Sequence, residues 1–271
     1  ASPITTNKAL VYNVNDIYYY NKLIMTSHFC RYLKALMSGP QSFQSSFQLL
    51  PEDLDSIIEK GALFTLKKHD RTTTVGVLKG RPLGFGQDLL VKRFNFRGLP
   101  DFALRSFFFS RARRLWNINQ RLFDRGLPVP RPVSYFRPSF RRKNSFFISS
   151  LIEDSQSLGY IYKQGLFREP EKLAVVLAKA ISAWHMAGAV HGDLKWSNIM
   201  LQGNADLTNI FFIDLDQAKL YRTPKIRGII KDLARFYRYG LELGAEEWVS
   251  SEFFPAYMEM LTGEVKKRID L

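Results

Sequence analysis

HGDLKWSNIM, residues 191–200, is the stretch on which the reading of this chain turns. Asp193 is followed five positions later by Asn198, with Lys195 between them. A loop can aim all three side chains into one cleft, which the fixed side-chain directions of a helix or strand would not do reliably at this spacing. Asp193 is then a base placed to take a proton from a substrate hydroxyl. Asn198 returns to the same site as a metal ligand through its oxygen. Lys195 is a compact cation suited to neutralising charge on a transferring phosphoryl group. Together they predict a phosphoryl-transfer loop, with His191 holding its backbone.

The second half of such a site lies at NIFFIDLD, residues 209–216, where an apolar run ends in two acids. This pattern predicts a buried strand that delivers Asp214 at its end. Mg²⁺ takes oxygen ligands and is held by one or two carboxylates plus substrate phosphates. Asp214 is the main candidate ligand. Asp216 is either a second ligand or a simple turn acid. The loop pattern H-x-D-x-x-x-x-N matches the kinase catalytic loop, Asp214 stands where kinases carry the D-F-G aspartate, and Asp216 replaces that glycine.

Around these stretches lie 271 residues, 46% of them hydrophobic. That is enough for one large domain or two lobes with a sizeable core. The single Cys30 leaves no internal disulfide and no Cys-based zinc site, which suits a reducing compartment. No run approaches membrane-spanning length and no signal-peptide pattern opens the sequence, so no spanning segment is expected. The net charge of +14 is concentrated: residues 97–143 carry twelve Arg and Lys against two acids, Asp101 and Asp124. Aromatic residues interrupt that segment at Phe102, Phe107, Phe108, Phe109 and Trp116. The combination predicts a polyanionic partner: phosphorylated lipid, a membrane surface or nucleic acid.

Taken in order, residues 1–60 read as an N-terminal helical extension, with a helix near residues 15–36, a linker near 41–48 and a short helix opening at Pro51. Residues 61–152 read as a strand-rich unit. Residues 63–68 and 73–78 form a hairpin around the turn 69–72, and residues 89–94 form a third strand. A lysine inside such an apolar strand is costly unless it faces a ligand. Lys92 therefore matches the third-strand lysine of kinases, which grips the nucleotide phosphates; the competing reading is an edge-strand lysine that blocks aggregation. The first turn has no glycine, so Arg71 and Thr72 are read as replacing glycine-enabled phosphate contacts.

Residues 107–125 follow as a helix. Kinases place a glutamate there to pair the strand lysine, yet no acid occurs between Phe102 and Phe123. That pair must be absent, replaced or supplied elsewhere. Strands at 133–136 and 145–151 form a second hairpin with a basic tip at 137–143, and residues 151–153 lead into a hinge where adenine would bind, Glu153 among them. Residues 153–271 read as mostly helical: one helix from Pro170 to the turn at Gly188, another beginning at residue 231 with Asp232 either holding catalytic-loop amides or serving as a first-turn acid, and a packing helix over 246–262.

With these pieces in place the chain resembles the lipopolysaccharide-core kinases, bacterial enzymes that phosphorylate inner-core sugars, heptose or Kdo, within the protein-kinase-like superfamily. The resemblance spans residues 63–262. It is carried by LLVKRFN (89–95), SRARRLW (110–116), RGLPVPRP (125–132), HGDLKWSNIM (191–200), IDLDQAK (213–219) and DLAR (232–235). It implies an α+β, two-lobed protein-kinase-like fold, with a small antiparallel-sheet N-lobe plus one helix and a mostly helical C-lobe. It also implies ATP and Mg²⁺ as cofactors, with Lys92 on the nucleotide phosphates, Asp193 as base, and Asn198 and Asp214 on the metal. The implied substrate is an anionic glycolipid, the lipopolysaccharide core, met at the inner-membrane surface on the cytoplasmic side of a Gram-negative cell.

Three other readings stay open at this stage. One is a kinase of a protein or small molecule; no A-P-E segment follows Asp216, which disfavours a protein acceptor. Another is a pseudokinase scaffold on anionic surfaces, favoured by the missing glycines and helix glutamate and opposed by retention of Lys92, Asp193, Asn198 and Asp214. Nucleic-acid binding by the basic segment ranks below these. Oligomeric state is not fixed by the sequence.

Overall fold

The computed structural model describes residues 51–61, 63–83, 85–96, 110–137, 144–166, 168–203 and 209–269. The expectations for residues 1–50, and for the basic segments 97–109 and 138–143, lie outside these.

Five strands build one antiparallel sheet: β1 (Phe64–His69), β2 (Thr73–Leu78), β3 (Leu89–Phe94), β4 (Pro132–Phe136) and β5 (Ser145–Ser150), in the order β1-β2-β3-β5-β4. β3 is central and fully paired, Val75 opposite Lys92 on one side and Phe147 opposite Lys92 on the other. That topology removes the edge-strand reading of Lys92. Edge strand β1 is exposed over most of its length, carries Lys67 and Lys68, and is bulged between Leu66 and Lys68, all of which discourage further strand pairing.

The strand period of two divides β3 between two environments. Leu89, Val91 and Arg93 face α1 (Pro51–Lys60). There Leu54 is buried against Leu78, Val91, Phe146 and Ile148, and Arg93 pairs with Asp55 at 3.0 Å. Helix α1 therefore packs into the sheet's own core. Lys92 and Phe94 face the other way, toward α2 (Arg111–Phe123). Ser110 caps α2 by accepting from Arg113 N–H, and Ala112, Leu115 and Leu122 bury its inner stripe.

The second half is mostly helical. β6 (Ser155–Ser157) leads into α3 (Leu158–Lys163) and then α4 (Pro170–Met186), whose Leu173, Leu177, Ile181 and Trp184 recur at helical spacing and are buried. β7 (Ala189–Val190), β8 (Ile199–Gln202), β9 (Asn209–Phe212) and β10 (Lys219–Leu220) form two small sheets, β6-β8-β9 and β10-β7, which frame the candidate loop. α5 (Ile226–Glu242) follows. α6 (Glu246–Trp248) then runs through a π-turn at Val249–Phe253 into α7 (Phe254–Met260), and α8 (Gly263–Ile269) closes the described chain. Trp184, Trp196, Phe212, Phe236, Phe253 and Tyr257 are all buried in a core that continues through Leu115 and Phe147 beneath α2. The α2 face of the sheet and the helical half thus share one hydrophobic mass.

The helix expected to begin at residue 231 begins instead at Ile226, which makes Asp232 an interior residue of α5 rather than a first-turn acid. Gly228 lies inside the helix, where a Cβ would stand 2.5 Å from Val190 Cγ2. The helix must pass that close to β7.

Replacing Gly228 by Ala sets a helix-propensity gain of about 1 kcal/mol against an overpacking cost of about 1–3 kcal/mol. Val190 is β-branched and buried in β7, so the cost should win. Thermal denaturation of Gly228→Ala should give a melting temperature lower by roughly 2–5 °C; a rise would show that Val190 yields.

Candidate active site

The loop 191–198 runs between β7 and β8 and is fastened from below. Asp232, with no solvent exposure, accepts from His191 N–H at 2.6 Å and from Gly192 N–H at 2.8 Å. Gly192 has φ +80°, and a Cβ there would stand 2.7 Å from Gln217 O, so only glycine lets the loop pass. The His191 ring holds the loop from within: Nδ1 accepts from Asp193 N–H at 3.3 Å, and Nε2–H donates to Ile213 O at 3.0 Å. This bonding defines a neutral ring. Trp196 is buried, and its indole N–H donates to Phe236 O at 3.0 Å. The ring of His185 lies 2.8 Å from the Tyr257 hydroxyl and 3.5 Å from Asp232, so it is structural. Burial pushes the Tyr257 phenol up, which keeps its O–H available to donate to His185.

So fixed, Asp193 presents its carboxylate at the loop's open side. Lys195 Nζ lies 3.2 Å from Asp193 Oδ2. Asn198 Nδ2 donates to Asp193 O at 2.9 Å and to Oδ2 at 3.2 Å, which leaves the Asn198 side-chain oxygen as the atom that can meet a cation. Ile213 N–H donates to Asn198 O at 3.0 Å, setting the residue before Asp214 against the loop. Asp214 itself has φ +58°, a left-handed conformation that is uncommon outside glycine. Such strain concentrates at functional sites.

Lys92 meets both acids from the sheet: Nζ is 2.7 Å from Asp214 Oδ1 and 2.9 Å from Asp216 Oδ2. Burial opposes the Lys92 charge, but Asp216 and Asp214 outweigh it and hold the ammonium above the ordinary lysine range. Burial likewise opposes the Asp214 charge, and Lys92 outweighs it to hold the carboxyl below its usual range. Helix α2 contributes cations here, not an acid. Arg111 reaches Asp216 Oδ2 at 3.3 Å and stacks 4.5 Å from the Phe94 ring centroid, and Arg114 donates to Asp216 O at 3.0 Å. These two arginines were missed from sequence. The available signal was paired: a helix opening S-R-A-R-R without acids, and a strand lysine without its expected partner.

Three other candidates, Glu153, Thr72 and Arg71, stand apart from this cluster. Glu153 is half-exposed and 3.6 Å from Arg81, while its carbonyl accepts from Gln202 at 2.9 Å. At the β1–β2 turn Thr72 gives both its N–H and its hydroxyl to Asp70 Oδ1, each at 2.8 Å, which holds the Asp70 carboxyl well below the usual range. Thr72's donors are thus engaged within the turn, and Arg71 is exposed beside it.

With this geometry in view, the comparisons are decisive for the family. The model of the lipopolysaccharide kinase (Kdo/WaaP) family matches residues 97–257, more than half of the chain. The chain belongs to the lipopolysaccharide kinase family. A solved structure of "WaaP in complex with acyl carrier protein" superposes with a TM-score of 0.55, covering 82% of this chain and 91% of that one at 18% identity. At that identity the likeness speaks to the fold, which is the two-lobed kinase-like one. No curated protein matches the chain at a significant level.

For a lipopolysaccharide kinase of this fold a divalent cation is the implied cofactor, and the residues present fit it. Among the described residues no group of three or more His, Cys, Asp or Glu side chains could hold a metal alone. Mg²⁺ does not need one: a carboxylate, a carboxamide oxygen and substrate phosphates suffice, and Asp214 and Asn198 are the residues that would supply the first two. Asp216 is differently placed. Its Oδ2 already meets two cations, and its Oδ1 is buried without a hydrogen-bond partner.

Burial also holds the His191 imidazole below the ordinary value of 6.5, against the opposing pull of Asp232, Asp193 and Asp214. The unfolded chain then takes up a proton near pH 6.5 that the native state refuses, so stability is lost as pH falls below that value. Urea unfolding at pH 7.5 and 5.5 should show this loss, and His191→Gln should have a smaller pH slope. Equal slopes would assign the dependence to other groups.

Proposed function

We propose that this chain transfers the γ-phosphoryl group of ATP to a hydroxyl of a lipopolysaccharide inner-core sugar, a heptose or Kdo, with Mg²⁺ as cofactor. The observation that carries the reading is Asp193 itself: a carboxylate held at an open loop by Asn198 and Lys195, in the same half of the chain as Asp214, which Lys92 meets from the sheet. The acceptor hydroxyl oxygen bonds to the γ-phosphorus, its proton passes to Asp193, the bond to the β–γ bridging oxygen breaks, and ADP leaves. Lys92 orients the nucleotide phosphates, and Lys195 faces the charge spread over the transferring group. When bound through Asp214 and Asn198, Mg²⁺ would supply charge neutralisation at the phosphates. Glu153, beside the hinge, and exposed Arg71 remain candidates for the adenine end and the phosphate end of the nucleotide.

An anionic, membrane-anchored acceptor also accounts for the basic character of the chain, +14 overall. No described helix is long and apolar enough to cross a membrane, and we assign the chain to the cytoplasmic face of a Gram-negative inner membrane as a peripheral protein. Because WaaP has been captured with acyl carrier protein, a carrier protein is a further candidate partner here.

The test is transfer of labelled γ-phosphate from ATP, with Mg²⁺, to lipopolysaccharide core lacking phosphate. Wild type should label the glycan. Asp193→Asn should lower the rate by about 10²- to 10⁴-fold, the usual worth of a positioned base, and Asp214→Asn should abolish metal-dependent turnover. Unchanged rates in Asp193→Asn would remove it as base. Absence of label with nucleotide binding intact would overturn the glycolipid acceptor and favour a nucleotide-binding scaffold.

A further inference from the structure

Kinases tie the strand-three lysine to the following helix through a glutamate on that helix. Helix α2 here offers only cations to the site, and Lys92 is nevertheless doubly paired. We propose that Asp216 replaces the helix acid from the opposite side: it positions Lys92 and, through Arg111, locks α2 onto the catalytic half, so that the helix-to-lysine coupling runs with its charges reversed. This deepens the phosphotransfer reading and rests on it only for the meaning of Lys92.

Four observations carry the inference. First, Asp216 Oδ2 is shared, 2.9 Å from Lys92 Nζ and 3.3 Å from Arg111, so one oxygen joins β3 to α2. Second, Arg114 holds the backbone of the same residue at Asp216 O, 3.0 Å away, which fixes the turn Leu215–Gln217 under the helix. Third, the Arg111 guanidinium stands over the Phe94 ring, 4.5 Å from its centroid, and Phe94 is buried on β3 two residues from Lys92, so the head group is held by packing as well as charge. Fourth, the far end of α2 is fastened likewise: Arg125, just past the helix, donates to Ala187 O at 2.9 Å. The helix is thus clamped at both ends to the C-lobe by cations.

The division of labour between the two acids follows. Asp214 is the more exposed, at 41% against 19% for Asp216. It can turn to a cation without leaving Lys92 unpaired, because Asp216 stays with the ammonium. Asp216 is suited to that second task, since its Oδ2 already meets both Lys92 and Arg111. Asp216 and Arg111 are therefore positioning residues, acting through Lys92.

The experiment measures binding of a fluorescent ATP analogue, hydrogen exchange along α2 and steady-state kinetics for wild type, Arg111→Ala, Arg111→Lys, Asp216→Asn and the double variant Arg111→Ala/Asp216→Asn. Exposed Arg121→Ala on the same helix is the control. Arg111→Ala and Asp216→Asn should each weaken analogue binding and raise KM for ATP roughly tenfold, the scale of a lost charge-assisted contact, and should speed exchange at the start of α2. The double variant should be no worse than the poorer single, because both act through one lysine. Arg111→Lys should recover part of the affinity, and Arg121→Ala should match wild type. Unchanged analogue affinity in Arg111→Ala, losses that add in the double variant, or a fall in melting temperature without a change in affinity would each overturn the proposal. If analogue binding responds as expected while wild type phosphorylates no glycan, the relay stands and the acceptor assignment fails.

Discussion

A buried carboxylate with two backbone donors is the constraint from which the site follows. Asp232 lies inside α5 with no solvent exposure and accepts the N–H groups of His191 and Gly192. Removing such a carboxylate from water is costly unless its lone pairs are filled, and strong, short bonds to backbone donors fill them. The loop can satisfy Asp232 only by entering at one height and one angle. Gly192 makes that angle accessible, and Gly228 lets α5 stand close enough to β7 for the carboxylate to reach. His191, once its N–H is spent on Asp232, uses its two ring nitrogens to join Asp193 to Ile213. One buried acid thus sets Asp193 and the residue before Asp214 in a common frame.

That frame explains why chemistry-bearing side chains can remain exposed and still be ordered. Asp193 is a quarter exposed, and its direction comes from Asn198 and Lys195, which sit on the same rigid turn. Asp214 follows strand β9 and a residue whose N–H and C=O are both engaged, so its left-handed backbone is over-determined by its neighbours. The binding energy of a substrate need not be used to arrange these groups, which is what preorganisation means for a site whose work is mostly positioning and electrostatics.

Much of this was legible in the sequence because it depends on local pattern. Strands β2, β3 and β9 fall where the apolar runs placed them, whereas the meeting of Lys92 with Asp214, 122 residues apart, was left open as a partner supplied elsewhere. What was not legible depends on distance in space. The close approach of α5 to Val190 at Gly228 leaves no trace in the local sequence. Asp216 reads equally as a ligand or a turn acid until Arg111 and Lys92 are seen to share its Oδ2. Helix α1 reads as an appendage, because the pairing of Asp55 with Arg93 spans 38 residues and leaves no local trace.

The sign of the charges on α2 is the deeper lesson. A lysine in the middle of a sheet, facing a cleft, requires an anion for its desolvation to be tolerable. Which element supplies that anion is free to vary; that it be supplied is not. Here the turn after β9 supplies it, and the helix above, relieved of carrying an acid, carries arginines that bind the same carboxylate. Two cations on one oxygen would be unfavourable alone, since they repel each other. The Phe94 ring beneath Arg111 and the second acid beside Lys92 offset that repulsion. The absence of acid from residues 111–123 is therefore a constraint on the helix: a glutamate placed there beside Asp214 and Asp216 would add a third anion to a cluster whose charge is already balanced by Lys92 and Arg111.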